Sequence, residues 1–149
     1  MIDQGAPDIT LPATGDQTIR LADLRGQSVV LYFYPKDNTP GCTSQACNLN
    51  DNRDALAEAG YSILGVSKDP AKSHQKFIDK FNLKFDLLCD EELSVHFAYG
   101  VWGPKKFMGR EFDGTHRTTF VIDENGILEQ VIAKPQVKAH AEEILQPEG

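Results

Sequence analysis

Cysteine is scarce in this chain: three residues, too few and too odd in number for the disulfide framework of a small secreted domain. No Cys-x-x-Cys pair occurs, which disfavours a thiol–disulfide oxidoreductase of the usual kind. No glycine-rich nucleotide fingerprint, internal repeat or low-complexity tract is present. No apolar run approaches the length of a membrane span. The start, Met1-Ile2-Asp3-Gln4-Gly5-Ala6-Pro7, lacks the basic and apolar segments of a secretory signal. Excess positive charge is missing too. Fifteen Lys and Arg stand against 22 Asp and Glu, for a net charge of −7 with the signs interspersed, which argues against nucleic acid as a partner. The expected setting is a reducing cytoplasm with functional thiols and no membrane.

What the chain has is enough apolar residue for one packed domain. At 149 residues and 40% hydrophobic content, a single domain over 1–149 is expected. Alternation predicts a strand over 8–11, a turn at 14–17 and a second short strand over 18–20. A helical turn over 21–24 ends at Gly26. Near-continuous apolar runs at 29–33 and 61–67 read as strands buried on both faces. A helix over about 43–59 joins them, so the two strands should be parallel. A helix over 71–81, a short strand over 85–88 and a short helix over 92–99 follow. A strand over 118–122 then turns at Glu124-Asn125-Gly126 into an antiparallel strand over 127–133. A helix over 137–145 closes the chain. The expected fold is α/β and thioredoxin-like: a central mixed sheet flanked by helices, with an extra hairpin at the amino-terminal end.

The densest chemistry lies in Tyr34-Pro35-Lys36-Asp37-Asn38-Thr39-Pro40-Gly41-Cys42-Thr43-Ser44-Gln45-Ala46-Cys47. Cys42 falls between a strand and a helix start, where unpaired N–H groups and the helix dipole favour the nucleophilic thiolate. Thr39 places a hydroxyl three residues before the sulfur and Cys47 a second thiol five residues after it. Cys42, Ala46, Leu49 and Leu56 form an inward stripe, whereas Cys47 shares a face with Asp51, Asp54 and Glu58. Cys89, at a strand end, reads as a packing residue. A zinc site from the cysteines and a histidine lacks paired-ligand spacing, because His74, His96, His116 and His140 are scattered. The histidines should cap, pack or face solvent, and no metal is expected.

The segment Pro35 to Cys42 resembles the Pro-x-x-x-Thr/Ser-x-x-Cys signature of peroxiredoxins. The Thr-Pro-Gly-Cys run, the cysteine five residues later and the stretches Tyr99-Gly100-Val101-Trp102-Gly103 and His116-Arg117-Thr118-Thr119-Phe120-Val121-Ile122-Asp123 resemble the peroxiredoxin Q or bacterioferritin comigratory protein group. These matches span nearly the whole chain in order. The resemblance implies Cys42 as peroxidatic cysteine and Cys47 as resolving cysteine. It implies Thr39 as the hydroxyl beside sulfur and peroxide, Pro35 as a shield from water, and Arg117 as a cation beside the sulfur. Gln45 stands where many peroxiredoxins carry Glu.

The expected activity is reduction of hydrogen peroxide and organic hydroperoxides through a Cys42 sulfenic acid and a Cys42–Cys47 disulfide. The amides of Gly41 and Cys42, together with Arg117, would hold the charge that moves onto the departing oxygen. No cofactor is expected. A thioredoxin-like dithiol is the expected reductant and a monomer the expected state. The alternative is a thiol redox sensor or binding protein that oxidises without fast turnover. The implied disulfide requires motion. Five helical residues separate two Cα atoms by roughly 8.6 Å, beyond the ~7 Å reach of a disulfide. The first turns of the helix must therefore unwind, and the modest helix propensity of Asn48, Asn50 and Asn52 should ease this.

Overall fold

The structure, a computed structural model, describes residues 4–107 and 109–145. Its strands are β1 (Thr10–Ala13), β2 (Gln17–Arg20), β3 (Ser28–Phe33), β4 (Tyr61–Ser67), β5 (Asp86–Cys89), β6 (Trp102–Phe107), β7 (Arg110–Thr115), β8 (Thr118–Ile122) and β9 (Leu128–Ile132). Its helices are α1 (Pro40–Asp51), α2 (Arg53–Glu58), α3 (Ala71–Phe81), α4 (Ser94–Ala98) and α5 (His140–Leu145), with a 3-10 turn at Leu21–Leu24.

The two longest apolar runs pair in parallel at the sheet centre, β3 on β4, with Val30 opposite Ile63 and Phe33 opposite Val66. They anchor a seven-stranded mixed sheet of order β2-β1-β5-β4-β3-β8-β9. The expected amino-terminal hairpin, β1 with β2, joins its edge through the single pair Ala13–Leu88. The expected β8–β9 hairpin forms the other edge.

Side-chain alternation divides the core between the two faces. Val30, Tyr32, Ile63 and Leu87 point to one side, where Cys42, Ala46, Leu49, Leu56, Phe77 and Ile144 from four helices cover them. Val29, Leu31, Phe33, Leu64, Val66 and Leu88 point to the other, under the amino-terminal hairpin and α4. A buried strand has no polar face, which is why these runs are apolar throughout.

Two expectations change. The single helix over 43–59 is two helices that meet at Asn52, whose backbone (φ −106°, ψ 12°) leaves the helical region. The Asn52 side chain joins its own backbone amide in donating to the Asn48 carbonyl (2.8 Å and 3.2 Å), a local bond that ends the first helix there. The second change is a hairpin of β6 and β7, a stretch to which the sequence pattern assigns no element. Gly103, Pro104 and two lysines hide its alternation, and Gly109 (φ 78°) is its turn signal.

Three histidines are more constrained than expected. His74, His96 and His140 are fully buried, and each meets a carboxylate: Asp37 at 2.7 Å, Asp90 at 2.7 Å and Glu143 at 3.1 Å. His116 is exposed. Among the described residues no helix is long and apolar enough to cross a membrane.

Candidate active site

The loop that leaves β3 is fastened before it reaches Cys42. Buried Asp37 accepts from the Tyr34 hydroxyl (2.5 Å) and the Ser73 hydroxyl (2.8 Å), and it meets His74 Nδ1 (2.7 Å). Its own amide donates to Asp69 (2.7 Å). Asp37, Asp69 and His74 bring ligand-type atoms within 4.8 Å of one another, a group that contains none of the cysteines. Their contacts tie the loop to α3. Sequence reading missed this anchor, because Asp37 and His74 are separated along the chain and neither falls in a spaced motif.

Asn38 then takes a left-handed conformation (φ 60°), which asparagine tolerates better than most residues. Thr39 is the N-cap of α1, and its hydroxyl donates to the Lys36 carbonyl (2.9 Å). Pro40 occupies the first helical position, where a missing N–H costs nothing. The first helical bond runs from the Thr43 amide to the Thr39 carbonyl (2.8 Å). The amides of Gly41 and Cys42 precede it and are therefore helix-start donors.

Cys42 is 1% exposed and faces the core, as its stripe predicts. Arg117, between β7 and β8, reaches it from across the fold: Nη2 lies 3.0 Å from the sulfur. Nη1 of the same guanidinium donates to the buried Gln45 side-chain oxygen (2.6 Å). Gln45 thus orients the arginine without adding a carboxylate. A Cβ on Gly41 would lie 3.3 Å from Nη2, so glycine there allows the close approach. One thiol, one cation and a set of N–H donors converge, an arrangement that suits a thiolate and an oxygen gaining negative charge.

The other candidates stand further off. Pro35 is half-buried on the anchored loop. Cys47 is half-buried lower on α1, and burial, then Asp51, push its thiol above the ordinary value. Cys89 is buried at the end of β5, where burial and then Glu91, Asp37 and Asp69 push its thiol up to about 11. A thiol so raised is almost wholly protonated at neutral pH, which suits packing. Cys42, Cys47 and Cys89 are all free thiols, and α1 is continuous through Cys47.

The asparagines of α1 do not act as expected. Asn48 donates to the Lys138 carbonyl (3.1 Å) and accepts from the Ala141 amide (2.7 Å). Asn50 donates to the Asn82 carbonyl (3.1 Å) and accepts from the Lys84 amide (2.8 Å). They pin the second half of α1 to its neighbours, an effect that outweighs low helix propensity. Cavities of about 570 Å³ beside Asn38 and about 480 Å³ beside Ile63 do not include Cys42 in their lining.

Comparison with known proteins agrees with this geometry. The profile of the AhpC/TSA family matches residues 2–131. Peroxiredoxin Bcp of Bacillus subtilis is 46% identical over 145 residues, covering 97% of this chain and 92% of the relative. Peroxiredoxin Bcp of Escherichia coli is 44% identical over 140 residues, covering 94% and 90%. Among solved structures, the bacterioferritin comigratory protein of Xanthomonas campestris, described for its alkyl peroxide reduction activity, superposes with a TM-score of 0.86. It is 34% identical and covers 92% of this chain and 87% of its own. PrxQ of Xylella fastidiosa superposes with a TM-score of 0.91 at 31% identity, covering 97% and 92%.

Proposed function

The chain belongs to the AhpC/TSA family as a peroxiredoxin, a thiol-dependent peroxidase, and from that premise we propose that Cys42 is its peroxidatic cysteine and Cys47 its resolving cysteine. The carrying observation is the 3.0 Å contact between Arg117 and the Cys42 sulfur at a helix start. The Cys42 thiolate attacks the terminal oxygen of a hydroperoxide, R–O–O–H. An S–O bond forms as the O–O bond breaks, and the alkoxide leaves with the electron pair. Arg117 and the Gly41 and Cys42 amides stabilise the charge as it moves from sulfur to the departing oxygen. Thr39 uses its proton on Lys36, which leaves its lone pairs to accept the peroxide O–H. Pro35 shields the sulfur from bulk water. The alkoxide takes a proton from solvent and departs as the alcohol, or as water when R is hydrogen.

Cys42 then carries a sulfenic acid. Cys47 condenses with it, forming the disulfide and releasing water. A dithiol protein of the thioredoxin type reduces that disulfide by exchange through a mixed intermediate. Cytoplasmic residence as a monomer fits this cycle. The substrates are hydrogen peroxide and alkyl hydroperoxides, the latter supported by the activity described for the Xanthomonas relative.

The test is steady turnover of peroxide with a thioredoxin system, comparing wild type with Cys42→Ser. Repeated turnover that the substitution abolishes is expected. A single oxidation that stalls, or near-normal turnover of the serine variant, would overturn the assignment.

A further inference from the structure

The β6–β7 hairpin carries a lysine that the peroxidase cycle above does not use. Gly103 pairs with Gly114 across the hairpin, so neither strand offers a side chain there. The Lys105 stem shares this notch with the Phe112 ring: a Cβ on Gly114 would lie 3.0 Å from Lys105 Cδ and 3.3 Å from Phe112 Cε2. Its ammonium donates to the Thr115 carbonyl (2.9 Å), two residues before Arg117. Thr115 is itself fixed, since its hydroxyl meets His96 Nε2 (2.9 Å) and His96 Nδ1 meets Asp90 (2.7 Å). The next lysine behaves differently. Lys106 projects from the other face, 74% exposed, with Glu111 at 3.7 Å.

We propose that Lys105 is a second cation of the peroxidase site, its ammonium held on the Thr115 carbonyl two residues before Arg117, where its charge favours the thiolate and the departing oxygen. Burial and then Arg117 push the Lys105 ammonium below its ordinary value, whereas the Cys42 charge draws it back up. Holding two cations together in a partly dry place is unfavourable by itself. It becomes favourable around an anion, and the site makes two in succession: the thiolate and the alkoxide. Gly114 leaves the room that the lysine stem needs to carry its charge in.

The inference rests on Cys42 as the reacting thiol, and its test separates the two. In the reduced protein, the Lys105 ammonium is titrated by NMR in wild type and in Cys42→Ser. Removal of the thiolate should lower the pH at which Lys105 loses its proton; an unchanged titration overturns the proposal. This measurement leaves the hairpin intact. In parallel, Lys105→Met should slow peroxide reduction by about threefold to tenfold, the effect of one partly screened charge. Its Cys42 alkylation profile should move to higher pH, and Lys105→Arg should restore most of both. Lys106→Met should change neither. A Lys105→Met variant with wild-type rate and alkylation profile would also overturn the proposal, while residual turnover in Cys42→Ser would count against the nucleophile instead.

Discussion

Gly41 and Arg117 occupy complementary space: a Cβ at position 41 would lie 3.3 Å from the same Nη2 that reaches the Cys42 sulfur at 3.0 Å. The substitution Gly41→Ala should push the guanidinium away by a few tenths of an ångström. We expect the second-order rate with peroxide to fall about tenfold, or about 1.4 kcal/mol of transition-state stabilisation. Thermal stability should hold or rise, because alanine favours a helix over glycine by about 1 kcal/mol. Stopped-flow kinetics and a thermal melt check both halves. A wild-type rate would mean that Arg117 accommodates the methyl group without cost.

Cys47→Ser should leave the first oxidation intact and block recycling. The Cys42 sulfenic acid should then persist long enough to be trapped by dimedone and seen by mass spectrometry. Cys89 should not substitute, since it is buried and its thiol is raised to about 11. Full thioredoxin-dependent turnover of Cys47→Ser would contradict this.

The disulfide-forming step should depend on pH through Cys47. Burial and then Asp51 hold its thiol above the ordinary value, so at neutral pH it is mostly protonated. Thiolate content, and with it the rate of condensation, should rise as pH increases through and above the ordinary thiol range. Asp51→Asn removes a repulsive charge and should shift that rise to lower pH, speeding condensation at pH 7 by about twofold for a partly exposed pair. Quench-flow alkylation after one equivalent of peroxide measures it. An unchanged pH profile would show that Asp51 does not act on the Cys47 thiol.

Unwinding should be uneven along α1. Cys42 and Cys47 lie on one continuous helix as free thiols, too far apart to bond. The anchors at Asn48 and Asn50 hold the later part of the helix. Hydrogen exchange should therefore speed up most over residues 43–47 on oxidation, with β3 unchanged. Equal protection of that segment in the reduced and disulfide forms would sink the idea of redox-coupled melting.

The sequence disclosed those parts of the fold that period and punctuation encode. β8 and α3 match their expected ranges because apolar spacing and flanking breakers agree there. The β6–β7 hairpin escaped because Gly103, Gly114 and Pro104 suppress the alternation, and the side chains that crowd the glycines, His116 at Gly103 and Lys105 and Phe112 at Gly114, are brought there only in three dimensions. Cys42 was legible from its helix-start position. Arg117 was legible only through family resemblance, because nothing local distinguishes an arginine at a strand entry from a solvated one. The Asn48 and Asn50 anchors were misread as helix weakeners, since propensity describes an isolated helix and their partners lie on α5 and beside β5.

Cys89 settles how electrons are counted. Each peroxide takes two, and the proposed pair on α1, Cys42 and Cys47, would supply both within one chain. A third reactive thiol would leave an odd sulfur after every turnover, free to couple one molecule to another. Sequestered at the end of β5 and kept protonated, Cys89 removes that parity problem. In the proposed cycle no second molecule is then offered a reactive third thiol to couple to.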